Sequence, residues 1–487
     1  MQQVYKKIPG IVIAGLRGGS GKTIISLGIT GAWKEMGFKV SPFKKGPDYI
    51  DAGWLSKAAG RPCYNLDTFL CTPSVVKHSF RENSQNSDVA VIEGNRGLYD
   101  GIDTNGSTAT SELAKLLNLP VLLVLDCTKS TRTMAALLFG CIKFDPEVKI
   151  CGVILNQVAG KRHEGKVKQN IEKYCNIPVL GSIPKLKSKD FPERHMGLVT
   201  SQEHSFSMKA IDAVIKTAQD NIDLKTLHEI VTSKEYCIEP GKKEQISIST
   251  EIEEQTGPAS IKQGQTALPD LTIGIIKDSA FQFYYPDNID ALKKLGANII
   301  FISPLSETII PDVDAIYMGG GFPETHAPQL AKNKRFKENL RQLSQKGLPI
   351  YAECGGLIFL GESINLDGRV FPMSNIFPIK FGFSNRPQGH GYTKVQVVND
   401  NPFFKKGEIL RGHEFRYSSI LDIDYKDHEM AFKMERGKGI LEKKDGFFKN
   451  NTFGTYTHIH ALGSPSWAPS LIKQAKAFHN RHRLTGC

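Results

Sequence analysis

An apolar segment, Gly10–Ala14, runs directly into Gly15-Leu16-Arg17-Gly18-Gly19-Ser20-Gly21-Lys22-Thr23 and from there into a helix-forming stretch. A glycine-rich turn between strand and helix exposes successive backbone N–H groups and a helix N-terminus, which together attract phosphate. Such a loop belongs to a strand of a parallel sheet, so this string commits the N-terminal half of the chain to an α/β fold. Lys22 is placed to neutralise the outer phosphates of a nucleotide and the Thr23 hydroxyl to reach Mg2+, with Gly18, Gly19 and Gly21 offering N–H groups. Leu16 stands where the first glycine of GxxxxGKT would be, so the string is a variant loop carrying a cation at Arg17.

Alternation of apolar strands with amphipathic stretches continues to about residue 220, as a parallel sheet requires. Candidate strands are Lys39–Pro42, Val89–Glu93, Val121–Asp126, Cys151–Asn156 and Pro178–Ile183. From Lys225 to Leu268 the pattern fails, and the polar run with Gly, Pro, Ser and Gln throughout reads as a linker. A second series opens at Leu271–Lys277 and continues through Ile299–Ile302, Ala315–Met318 and Pro349–Ala352. At 487 residues the chain exceeds one ordinary core, and no fixed period repeats in it. The expectation is two unlike α/β domains, 1–224 and 269–487, joined by a linker over 225–268.

Several classes are disfavoured. No apolar run reaches membrane-spanning length, and the first ten residues lack the apolar region and cleavage site of a secretory leader. Nine cysteines without a CxxC pair argue against a zinc site or a disulfide framework, so a cytoplasmic protein is expected. The net charge of +12 comes from scattered Lys and Arg with no aromatic-interleaved stripe, which speaks against nucleic acid as a partner. A basic surface does suit a small polycarboxylate by focusing it toward a cleft, though most of the excess reads as solubilising charge.

Two segments fall where strands should end near the phosphates. Lys44-Lys45-Gly46-Pro47-Asp48-Tyr49-Ile50-Asp51 follows the second strand, and Glu93-Gly94-Asn95-Arg96-Gly97-Leu98-Tyr99-Asp100-Gly101 follows the third. Mg2+ takes few protein ligands and keeps water and phosphate oxygens, so one or two carboxylates suffice. Asp48 and Glu93 are the choices for the ion, while Asp51 reads equally well as a helix cap. Asn156, which ends the strand CGVILN, is placed either to read an adenine edge or simply to end the strand.

In the second half, Tyr351-Ala352-Glu353-Cys354-Gly355-Gly356-Leu357 puts a cysteine on a sharp strand-to-helix turn. This follows the logic of a nucleophile elbow, with a thiol activated at a helix start. Thr455-Tyr456-Thr457-His458-Ile459-His460 supplies two histidines on one face of an expected strand, one of which can act as base. Gly319-Gly320-Gly321 offers oxyanion N–H donors. No acidic residue stands two positions after His458, where a third triad member would be sought, so a Cys354–His458 dyad is expected, with a backbone group as the candidate aligner.

Nine strings in order, spanning nearly the whole chain, resemble the cobyrinic acid a,c-diamide synthase family. They are the GKT loop, FKKGPDYID, EGNRGLYDG, FPERHMGL (Phe191–Leu198), FYYPDN (Phe283–Asn288), GGGFPE, YAECGGL, RGHEFRYS (Arg411–Ser418) and the HIH strand. The resemblance implies a dethiobiotin-synthetase-like P-loop domain with a parallel sheet, fused to a class I, triad-type glutaminase domain. It implies that Cys354 is the glutamine nucleophile and His458 its base. It also implies that the Lys22 loop binds ATP and that Asp48, Tyr49, Glu93 and Asp100 surround Mg2+, acyl phosphate and substrate. The implied reaction is ATP- and glutamine-dependent amidation of the a and c carboxylates of a tetrapyrrole through acyl phosphates, with ammonia shielded from water. A homodimer is the candidate assembly.

The chain departs from the family's commoner strings at Leu16, Gly18, Lys45, Asn95-Arg96 and the segment after the histidines. Lys45 and Arg96 add cations beside the expected substrate cleft, a change that resembles branches amidating sirohaem or a metal-sirohydrochlorin. A partition or scaffold ATPase shares the Arg17–Thr23 pattern but has no fused cysteine elbow.

Overall fold

The computed structural model describes residues 8–185, 193–194, 197–198, 207–233 and 271–485. They fall into two compact units, Met1–Thr250 and Glu251–Cys487.

The first unit is built on seven parallel strands: β1 (Gly10–Gly15), β2 (Val40–Lys45), β3 (Tyr64–Leu66), β4 (Val89–Glu93), β5 (Val121–Asp126), β6 (Ile150–Val158) and β7 (Val179–Pro184). Their order is β3-β2-β4-β1-β5-β6-β7. The sequences GIVIAG of β1 and VAVIE of β4 are buried from end to end. Helices covering both faces of a parallel sheet produce this, and it explains why these strands read as unbroken apolar runs. Because β4 lies between β1 and β2, the loops after all three strands gather at one edge, in the crevice where open α/β sheets bind ligands. Strand β2 runs on to Lys45, so Lys44 and Lys45 are strand residues. The edge strand β3 was not foreseen, because three residues carry no periodicity.

The start of the expected linker is a helix, Leu224–Thr232. The Asp223 carboxylate accepts the Thr226 N–H at 3.0 Å, and Leu224, Leu227 and Val231 form one buried stripe. The Leu224 carbonyl accepts the Trp33 indole N–H at 3.2 Å, which ties the helix to the first unit. Residues 234–268, the rest of that linker, lie outside the described residues, as do residues 269–270 at the start of the expected second domain. Of Phe191–Leu198, only Glu193–Arg194 and Gly197–Leu198 are described, as a two-stranded antiparallel pair.

The second unit holds a ten-stranded mixed sheet. Its parallel part runs in the order Asn298–Ile302, Thr272–Ile276, Ala315–Met318, Ile350–Glu353 and Thr452–Thr455. The sheet continues antiparallel through Lys444–Lys449, Met430–Arg436, Gly389–Val397, Ile409–Arg416 and His458–Ile459. Among the described residues, no helix is long and apolar enough to cross a membrane.

Candidate functional site

Two sites stand out, one in each unit. In the first, the chain turns from β1 through Leu16–Gly21 into the helix α1 (Lys22–Glu35). Gly21 opens α1 at φ 93°, and a Cβ there would lie 2.2 Å from the Asn156 amide nitrogen, so only glycine fits. That nitrogen donates to the Ser20 carbonyl at 2.9 Å, so Asn156 braces the phosphate loop. The exposed Arg17 side chain pairs with Asp126 at 2.9 Å. Lys22 Nζ donates to the Arg17 carbonyl at 3.0 Å. Burial, helped by the neighbouring Lys44 charge, lowers the Lys22 ammonium to about 8.

Below the loop lies a buried charge cluster. The Thr23 hydroxyl donates to Glu93 Oε1 at 2.6 Å, and Lys44 Nζ lies 3.0 Å from the same oxygen and 2.9 Å from Asp51. Asp48 Oδ1 accepts the Asp51 N–H at 2.8 Å, so Asp48 caps the turn into the helix Ile50–Ala59 while Asp51 is an ion-pair partner. Burial alone would lower Lys44, but Asp51 and Glu93 override it and hold the ammonium charged, above its usual range. Three carboxylates crowd this ammonium. Burial raises Glu93 to about 7 and Asp48 to about 6, with the Asp51 charge adding to both shifts. Lys44 was not singled out in the sequence, because its partners come from two separate segments, Asp48 and Asp51 in one and Glu93 in the other.

Among the described residues, the second carboxylate oxygen of Glu93 is buried without a hydrogen-bond partner. A buried oxygen left bare beside a threonine hydroxyl and a second carboxylate suits a hard cation. Among the described residues, no group of three or more His, Cys, Asp or Glu side chains is set to hold a metal. Of the remaining residues, Tyr49 opens the helix Ile50–Ala59, and Asp100 accepts the Gly97 N–H at 2.9 Å and so fixes the turn after β4. Lys45 is buried between the charges of Asp67 and the exposed Arg96, and burial lowers it.

In the second unit, Cys354 sits at φ 46° and ψ −96° between the strand Ile350–Glu353 and the helix Gly355–Leu360. A non-glycine residue in that region is strained, and here the sheet over-determines it. The Cys354 N–H donates to the Thr455 carbonyl at 2.7 Å, and the Gly356 N–H donates to the Gly319 carbonyl at 3.1 Å. His458 is fully enclosed and hydrogen-bonded to the Cys354 thiol. A Cβ on Gly320 would lie 2.5 Å from Cε1 of that ring, so the Gly319–Gly321 backbone passes directly against the base. The Gly319 N–H is committed to the Tyr284 hydroxyl at 2.8 Å, and Gly320 and Gly321 are the oxyanion candidates.

Sequence reasoning missed Glu353. Its carboxylate is fully buried, with one oxygen 3.2 Å from His458 Nδ1 and the other accepting the Ile459 N–H at 3.2 Å. Burial opposes the charged His458 ring, but hydrogen bonds and charges from Cys354 and Glu353 raise it to about 10. His413, opposite His458 across the antiparallel pair, stacks on it with centroids 4.9 Å apart. Burial and the charges of His458 and His460 push His413 well below the usual range and keep it neutral. His460 turns to Asp287, at 3.2 Å, instead of to the cysteine.

The expected histidine strand is two short strands, Thr452–Thr455 and His458–Ile459, with a break at Tyr456-Thr457. The cause is Asp445, whose buried carboxylate takes both N–H groups at the break, both flanking threonine hydroxyls and the Gly446 N–H, all within 3.0 Å. Asp445→Ala is expected to destabilise the full chain by about 3 kcal/mol or more, because it strips the acceptor from several buried donors. Urea unfolding followed by fluorescence measures this, and an unchanged midpoint would contradict it.

The comparisons agree with this division. Residues 11–199 match the family described as CobQ/CobB/MinD/ParA nucleotide binding domain, and residues 272–466 match the CobB/CobQ-like glutamine amidotransferase domain. A cobyrinate a,c-diamide synthase of Magnetococcus marinus is 38% identical, with 96% of this chain and 97% of the relative covered. One from Archaeoglobus fulgidus is 38% identical over 98% of this chain and 99% of its own length. One from Salmonella typhimurium is 36% identical over 96% and 98%.

Proposed function

We infer the reaction from kinship and from the two sites together: the chain belongs to the cobyrinate a,c-diamide synthase family, and its units divide a glutamine-dependent amidation between them. The first unit activates a carboxylate. N–H groups of Gly18, Gly19 and Gly21 cradle the phosphates of ATP, and Lys22 neutralises the transferring phosphoryl group. Thr23, Glu93 and Asp48 would hold Mg2+, which when bound draws charge from the phosphate oxygens. A substrate carboxylate oxygen takes the γ-phosphoryl group, giving an acyl phosphate and ADP. Lys44 keeps Glu93 and Asp51 in place. Tyr49, Asp100 and the exposed Arg96 face the tetrapyrrole, whose carboxylates the Arg96 cation suits, with the buried Lys45 beside Arg96, and Asn156 holds the loop beside the nucleotide.

The second unit makes ammonia. Cys354, its proton already on His458, adds as the thiolate to the side-chain amide carbon of L-glutamine, and the imidazolium then protonates the departing nitrogen. Water hydrolyses the resulting thioester to glutamate. The released ammonia attacks the acyl phosphate, expelling phosphate and leaving the amide. The a and c side chains of cobyrinate undergo this in turn.

The observation that carries the reading is the phosphate loop over a buried Thr23–Glu93–Lys44 cluster in a chain that also holds a Cys354–His458 pair. Lys45 and Arg96 favour a second reading, the same chemistry on sirohaem or a metal-sirohydrochlorin. Mass spectrometry after incubation with ATP, glutamine and each macrocycle separates the two readings. Cobyrinate is expected to gain two amides, with one ADP formed per amide. Amides on sirohaem alone would reassign the macrocycle, and amides on none would sink the proposal.

A further inference from the structure

We propose that Glu353 is the third member of the glutaminase site, a positioning carboxylate that holds the His458 ring toward Cys354. The inference rests on the glutaminase reading above and adds a residue to it.

Register brings the two residues together. Strand Ile350–Glu353 pairs in parallel with Thr452–Thr455, and Glu353 is opposite Thr455, three residues before the histidine. The strained turn at Cys354 then sends the thiol and the preceding carboxylate to neighbouring points around one imidazole. By gripping both the His458 ring and the Ile459 N–H, Glu353 fixes ring and backbone of the histidine segment at once.

The carboxylate is fully buried, and among the described residues its ionic partner is His458. Its other contacts are the hydroxyls of Tyr317 at 3.3 Å and Tyr351 at 3.4 Å. Burial, together with the Glu353 charge, pushes both phenols well above their usual range, so they stay neutral donors. An anion enclosed by neutral donors gains its compensating charge when His458 becomes imidazolium. A carboxylate on Nδ1 also selects the tautomer that carries its proton there, leaving Nε2 to take the thiol proton. A search two residues past the histidine could not find this acid, because it precedes the nucleophile and lies 105 positions from the base.

The test uses the full chain and four measurements on Glu353→Gln: glutamine-supported synthesis, ammonia-supported synthesis, the pH profile of glutamine hydrolysis, and Cys354 alkylation by iodoacetamide across pH. Groups that bear on the profile are Cys354, Glu353 and His413 around the His458 ring, Tyr317 on Glu353, and Tyr285 and His460 beside His413. Glutamine-supported kcat is expected to fall on the order of 10^3-fold with little change in KM for glutamine. Ammonia-supported synthesis should match wild type. The profile should narrow, with thiolate formation moved to higher pH and loss of the imidazolium proton moved to lower pH, and Glu353→Asp should recover part of the loss.

Unchanged glutamine-supported activity, an unmoved profile, or parallel loss of ammonia-supported synthesis would overturn the inference. If Glu353→Gln does not fold, nitrogen NMR of the wild-type His458 ring decides: a proton on Nδ1 in the neutral ring supports the assignment, and one on Nε2 overturns it. Cys354→Ala separates the two levels. If that variant still uses glutamine, the glutaminase reading fails; if it does not while Glu353→Gln behaves as wild type, only the inference fails.

Discussion

Cys354→Ala is expected to lower glutamine-supported amidation on the order of 10^4-fold or more, while amidation supported by ammonium salts persists. The change removes only the thiol sulfur. Alanine meets the same φ of 46° as cysteine, the N–H still reaches the Thr455 carbonyl, and the Gly355–Leu360 helix keeps its buried face. His458 then loses the thiol that helps hold it up at about 10, but its contact with Glu353 remains. The loss is thus chemical and confined to one unit. Among the described residues no second thiol of that unit can substitute, because the other described cysteines, Cys63 and Cys127 among them, lie in the first unit. Parallel assays with glutamine and with ammonium at high pH measure the split. Surviving glutamine use would remove Cys354 from the chemistry, and loss of both activities would refute the division of labour.

What the sequence revealed follows from how each part is buried. Strands covered on both faces, such as VAVIE and AIYM, show as apolar runs and were found within a residue or two. The antiparallel strands were not. Gly389–Val397 and Ile409–Arg416 alternate buried and exposed positions, and their outward Lys394 and Arg411 look like loop residues in a linear scan. The proposed Cys354–His458 pair was legible because glycines crowd around Cys354 and a pair of histidines stands in a β-prone segment. Glu353 and Lys44 were not, for one reason: each meets a charged partner distant in sequence, His458 or Glu93, that strand pairing brings close. The adenine role weighed for Asn156 met a competing demand, since its amide nitrogen is already bound to the loop carbonyl of Ser20.

Glu93→Gln is expected to be the mirror image of Cys354→Ala. Amidation should fall about 10^3-fold with either nitrogen source, because the anionic end of the phosphate site is gone, while the second unit still converts glutamine to glutamate. Glutamine matches glutamate in volume and keeps an oxygen to accept from Thr23, so the first unit should fold. Lys44 would retain Asp51 as its counter-charge. The pH dependence sharpens the test. In wild type, burial holds Glu93 up at about 7, so below that value a proton occupies the oxygen that the metal ion needs. Apparent Mg2+ affinity should therefore rise with pH through about 7 and level off once the carboxylate is ionised. In the variant that step should vanish, leaving only the weaker one from Asp48, which burial places at about 6. Titrating Mg2+ against ADP formation at several pH values measures both effects. A variant that still forms amides from ammonia at the wild-type rate, with the step at 7 intact, would show that another group binds the ion.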